Sequence, residues 1–260
     1  MISFEVALML ASHPIEAAPP AFEFSLSAGG SGSSHIREPA QSGGQLTTSQ
    51  AAVNLLGRQI LGSPSWYFCY GLQVEQYQFR GSAVWPERLQ DLAVPLRVEY
   101  LQGGQTVAQL TLQPGYYFGR TFSPQAWDVP VELISGVPLS TDLHGVLGID
   151  YGRFYHHPLP IVGLVWEFSH DWRMEMIYPE PALVYTPGLG RQWRLGGELT
   201  GGGFLLDGHV ERSIVEYSSY GVGISYSCVT RNGPGLMVGA GIQTGSTADF
   251  FRLDRRLNAG

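Results

Sequence analysis

PLPIVGLVWEFSHDWRMEMIYPEPALVYTPGLGRQWRLGGELTGGGF, from Pro158 to Phe204, decides how the chain is read. Between Trp172 and Tyr178, the residues Trp172, Met174, Met176 and Tyr178 fall on one side, and Arg173 and Glu175 on the other. Between Trp193 and Leu199, Trp193, Leu195 and Leu199 oppose Arg194 and Glu198. Side chains of a β-strand alternate faces with a period of two, so each segment is a strand apolar on one side and charged on the other. Short breaks at SHD, PEP and PGLG turn the chain back on itself.

The same alternation extends outward in both directions. Upstream, Val162, Leu164, Trp166 and Phe168 alternate with Val165 and Glu167. Segments 129–137 and 143–151 read as a pair of strands around Ser140-Thr141-Asp142. Val94 to Leu112 reads as a hairpin about Gly103-Gly104, a dipeptide that tolerates the positive φ of a tight turn. Ser65 to Phe79 is an aromatic-rich strand. Leu46 to Leu61 is either a strand or an amphipathic helix, because Ala52, Val53, Leu55, Leu56 and Ile60 roughly follow helical spacing. Downstream, Tyr220 to Cys228 and Leu236 to Gln243 alternate again across the turn at 231–235.

The strands number about 12, within a range of 10 to 14, and their connections alternate in length. GSPS, GG, STD, SHD, PGLG and NGPG are short; RGSAVWPER, GRTFSPQAWD, YGRFYHHP and LLDGHVERS are long; Pro179-Glu180-Pro181 is the exception. Short turns on one side and long links on the other fit an antiparallel up-and-down transmembrane β-barrel. An even number of strands is expected to put both termini on the short-turn side. The expected organisation is a flexible lead-in over 1–45, rich in Pro, Gly, Ser and Ala, a barrel over 46–253, and a tail over 254–260.

Composition agrees. Of 260 residues only 14% are charged, with 34 glycines and 12% aromatics, against roughly 25% charged in ordinary soluble domains. Mean hydropathy is zero, yet no run nears the ~18 to 20 apolar residues of a membrane helix. A net charge of −7 argues against nucleic acid as a partner; Arg252, Arg255 and Arg256 read as a solvated tail. The opening MISFEVALMLASHPIEA, interrupted by Glu5 and with no preceding Lys or Arg, lacks the pattern of an export signal, so a start further upstream is expected.

If the apolar face meets lipid, the other face lines the interior. That assigns Arg97, Glu99, Glu132, Glu167, Arg173, Glu175, Arg194 and Glu198 to the lumen as an ion-pair network. Trp166, Phe168, Trp172, Tyr178 and Trp193, near strand ends, are expected at the membrane interfaces. In a soluble, lipocalin-like barrel for an apolar ligand the two faces would be exchanged, and periodicity alone does not decide between them.

The segments LPIVGLVWEFSHDWRMEMIYPEPALVY, WRLGGELTGGGFLLD and VEYSSYGVGISY, with WPERLQDLAVPLRV and LTLQPGYYFGR upstream, resemble the bacterial outer-membrane β-barrel family classed only as domain of unknown function 6268. The likeness runs from about Leu72 to Gly245. It implies an outer-membrane barrel and brings no substrate or catalytic residue with it.

Sites of chemistry are weighed against plain structural roles. Adjacent His156 and His157 would point apart on a strand, so they read as a solvated loop and no metal is expected. Asp142, His144, His170 and Asp171 at turns offer a lipid-hydrolase reading with a rim serine, kept only as an alternative. Gly201-Gly202-Gly203 lacks the Lys-Ser/Thr and helix of a phosphate loop and reads as a close backbone approach. Whether Cys69 and Cys228 pair is left open. The reading is a non-enzymatic outer-membrane barrel of structural or narrow-channel type, with no cofactor, the lipid bilayer as partner and small solutes as candidate cargo.

Overall fold

The computed structural model describes residues 22–30, 34–37, 42–81, 86–102, 105–188, 190–206, 213–229 and 235–252. The Gly103-Gly104 and NGPG turns, most of LLDGHVERS, part of RGSAVWPER, the lead-in before 22 and the tail lie wholly or partly outside those residues. The described residues are nearly all β. The strands are β1 (Phe22–Gly30), β2 (Ser34–Arg37), β3 (Ser42–Ile60), β4 (Trp66–Arg80), β5 (Arg88–Ala93), β6 (Leu96–Gln102), β7 (Gln105–Leu112), β8 (Gly115–Phe118), β9 (Trp127–Asp128), β10 (Val131–Pro138), β11 (Leu143–Tyr151), β12 (Leu159–Trp166), β13 (Trp172–Tyr178), β14 (Ala182–Gly188), β15 (Arg191–Leu206), β16 (Ser213–Val229) and β17 (Gly235–Arg252).

Consecutive strands pair antiparallel, as short turns require. Eleven close a barrel, running β4–β6–β7–β10–β11–β12–β13–β14–β15–β8–β5 and back to β4. Outside this circuit β3 and β1 extend from β4, and β16 and β17 from β15. Several short strands are halves of one. The pairing of β4 with β6, from Trp66↔Tyr100 to Tyr70↔Leu96, continues in register as β4 with β5, from Gln73↔Ala93 to Gln78↔Arg88. β7 and β8, and β9 and β10, join in the same way.

Prolines cause the interruptions. Pro95, Pro114 and Pro130 stand at one level on three neighbouring strands, and their carbonyls accept from Gly71, Val94 and Gln113 N–H at 3.0, 2.9 and 2.9 Å. Having no N–H, none of them returns the second bond of its pair. The orphaned Gln113 carbonyl takes the Tyr117 hydroxyl instead, at 2.8 Å.

The wall has two heights. β10 to β14 are 8, 9, 8, 7 and 7 residues long, whereas β3, β4, β15, β16 and β17 have 19, 15, 16, 17 and 18. Above the short strands β8 and β15 run in the same direction and meet in a parallel bridge at Phe118↔Leu205, with Gly119 N–H donating to Leu205 O at 2.9 Å. The tall strands thus close over the low ones into a narrower upper tier. Its centre is Tyr77, Phe79, Leu89, Tyr117, Phe204, Ile214, Val215 and Tyr217, joined by Phe154 from the link after β11. Gly203 admits that link, since a Cβ there would fall on the Phe154 carbonyl.

The segment expected as a lead-in carries β1 and β2; β1 pairs with β3 from Phe22↔Gly57 to Gly30↔Ser49. That extra crossing puts Phe22 near the short-turn rim, while Arg252 ends opposite Ser213 at the long-link rim. The described strands therefore begin and end on different sides. Leu46 to Leu61 is strand throughout, which removes the helix alternative.

Candidate functional site

Strand parity divides the wall into an outer and an inner surface. Outward positions of β4 are Tyr70, Leu72 and Val74, all exposed, followed by Gln76, Gln78 and Arg80. Leu133, Leu147, Ile149, Val162, Leu164, Met176, Leu195, Val222 and Ile224 continue the exposed apolar belt around the barrel. Its two edges are aromatic. On the short-turn side Trp66 packs on Tyr100, Trp166 on Phe168, Phe168 on Trp172, Trp172 on Tyr185 and Trp193 on Tyr226, with ring centroids 4.6 to 6.4 Å apart. On the other side Tyr116 meets Phe122 and Trp127, and Tyr151 and Tyr178 are exposed. All five aromatics expected at the interfaces point outward.

The inner surface is polar. Glu99, 6% exposed, receives Arg58 at 2.6 Å and Arg97 at 3.5 Å, and Arg58 lies over the Tyr67 ring at 4.1 Å. Glu175, 4% exposed, pairs with Arg173 at 2.7 Å and Arg194 at 3.8 Å. Each carboxylate is thus shared by two guanidiniums, one triad on β3 and β6 and the other on β13 and β15. Glu132 accepts from Gln109 at 2.9 Å and Thr111 at 3.1 Å. Gln50 donates to Glu75 at 2.7 Å. In the PEP turn Glu180 points inward and accepts Leu199 N–H at 3.1 Å; burial pushes its carboxyl well above the usual range.

Seven of the eight expected lumen residues are buried or half-buried on the inner surface. Glu198 keeps the inward parity but is exposed, and among the described residues it joins no ion pair. Sequence reasoning missed Arg58, whose strand also fitted a helix, and read His144 only as a turn residue, whereas it is buried on the inner surface with Asp150 and Gln109. Glu75, on β4, and Asp91 also escaped notice, the latter because β5 lies in a segment broken by Pro86 and Pro95.

The remaining candidates stay apart. His144 is buried in the lumen, whereas the His170 side chain is 73% exposed on a turn, 3.9 Å from Asp171. His156 and His157 meet edge to face with centroids 4.0 Å apart, and His156 N–H donates to Glu216 at 2.6 Å. The described residues hold no cluster of three His, Cys, Asp or Glu able to bind a metal ion. Cys69 and Cys228 form no disulfide. No family model, no curated protein and no solved structure matches the chain.

Proposed function

We propose that the chain is an outer-membrane β-barrel of structural type, with a lumen closed at the long-link end. The observation that carries this reading is the distribution of charge: the Arg–Glu networks around Glu99 and Glu175 are inside and the belt of exposed Leu, Ile, Val, Met and Trp is outside. A monomer in water rarely exposes so extended an apolar surface, and a lipocalin-like barrel would have the opposite polarity. Along β4 the belt runs from Trp66 to Val74 before the change to Gln76. At ~3.4 Å per residue and ~40° of tilt that is about 20 Å, near the ~25 Å apolar band of outer-membrane barrels. Aromatic rows at both edges support the same reading.

Closure rests on Tyr77, Tyr117, Phe154, Phe204 and Tyr217, each no more than 2% exposed, which fill the upper tier where open porins carry water. In planar lipid bilayers the inserted protein is expected to give no porin-sized conductance steps at any salt concentration. Regular steps would instead show an open lumen and return the narrow-channel reading.

A further inference from the structure

Three arginines stand together on the outer surface above the apolar belt, beyond Gln76 and Gln78 on β4. Arg80 ends β4, sharing the outward parity of Tyr70, Leu72 and Val74. Arg88 begins β5 opposite Gln78, two positions from Arg80's own level, and shares the parity of the exposed Leu92. The Gln90↔Phe118 register, carried two residues on, sets Arg120 beside Arg88. All three are exposed, and Arg120 reaches Glu87 at 3.8 Å with both side chains about four-fifths in solvent, at 79% and 81%.

Like charges on neighbouring positions of adjacent strands destabilise the sheet unless an anion lies among them. One exposed carboxylate among three guanidiniums leaves the group positive. Directly below lies the outward aromatic group of Tyr116, Phe118, Phe122 and Trp127, with Tyr116 to Phe122 at 4.8 Å, Phe118 to Phe122 at 5.6 Å and Tyr116 to Trp127 at 5.2 Å. Level with Tyr116, on β5, is the exposed Leu92, and one outward position further down is the exposed Val94. Guanidiniums therefore stand above a band of aromatic rings, with aliphatic side chains beside and below it. The same order occurs along a phospholipid from phosphate through glycerol and ester to acyl chain.

We infer that Arg80, Arg88 and Arg120 form a binding site for the phosphate-bearing headgroup of a membrane lipid, whose acyl chains lie along the wall over β5, β8 and β9. Arginine suits this role because its planar fork of donors fits phosphate oxygens in bidentate fashion. The aromatic rings occupy the interfacial depth that amphipathic rings favour. The inference rests on the membrane reading, since without a bilayer no headgroup would reach this height on the wall.

The full chain and its Arg80→Gln/Arg88→Gln/Arg120→Gln variant are inserted into phosphatidylcholine vesicles containing a small fraction of a phosphomonoester lipid, phosphatidic acid. Retained lipid is then counted by native mass spectrometry, and insertion is scored separately by vesicle flotation. Both proteins are expected to float equally, with wild type retaining phosphatidic acid roughly a hundredfold more tightly, about fivefold for each arginine. Inorganic phosphate at the same concentration is expected not to displace it. Equal retention by two floating proteins would overturn the headgroup site while leaving the membrane reading intact; displacement by free phosphate, or selective retention of an acidic peptide over the lipid, would overturn the assignment of lipid as ligand. Failure of both proteins to float would overturn the membrane reading itself, and the site with it.

Discussion

Glu99 shows most plainly how single side chains hold the lumen. Its carboxylate lies between Arg58 and Arg97 and is nearly sealed from water. Removing it leaves two guanidiniums facing each other, and losing one partner of a buried pair costs more than the pair contributes. Glu99→Ala is expected to lower unfolding stability by about 3 kcal/mol, measured by urea titration in lipid vesicles. Glu180 behaves oppositely. Burial raises its carboxyl well above the usual range, so the folded protein favours the protonated form. Stability is then fully present below the ordinary glutamate value and declines as pH rises above it. Glu180→Gln retains an acceptor for Leu199 N–H and removes the charge. Its thermal stability is expected to match wild type near pH 4 and exceed it at pH 8. A variant that tracks wild type at both values would contradict that account.

At the scale of strands, legibility followed the strength of alternation. β13, from Trp172 to Tyr178, was read to the residue, because every second side chain is large and apolar and the others are Arg, Glu and Ile. β5 and β8 were not legible. Each is a short stub beyond a proline, and neither RLQDLA nor GYYF is long enough to establish a period alone. Their register with β4 and with each other supplies what their sequences lack. The brevity of the PEP turn also becomes intelligible: it joins β13 and β14, the shortest of the low strands, beneath the upper tier, where no long link is needed to reach the rim. Lumen residues were legible wherever a charge interrupted an apolar alternation, as at Arg173 and Glu175. Arg58 was not, since Gly57 and Gln59 beside it give no contrast. The wall also predicts its own tolerance. Leu164→Arg, outward in the belt, is expected to cost about 2–4 kcal/mol in vesicles, whereas Gln76→Arg, outward above Val74, is expected to be near neutral. Equal costs in the same folding titration would contradict the assigned belt.

For the whole molecule, the decisive arrangement is a barrel with its charges inside and its apolar side chains outside, narrowed into a cored upper tier on one side. The fold class and approximate strand number were legible from alternation and connection lengths. The two tiers were not, because they depend on Phe118 and Leu205 meeting across the low strands, a contact between residues distant in sequence with no local signature. The Gly201-Gly202-Gly203 run marked the close approach without naming its partner, Phe154. Gly203→Ala is expected to unseat Phe154 and loosen the upper tier, seen as earlier protease cleavage in the 152–158 link while the belt stays inserted. The central claim is that the exposed face meets lipid. Its most direct test is tryptophan fluorescence of the full chain in vesicles whose acyl chains carry bromine. Trp66, Trp166, Trp172 and Trp193 all face outward at the belt edge, so strong quenching relative to unbrominated vesicles is predicted. Unquenched emission, from a protein that stays monodisperse without detergent, would contradict the claim.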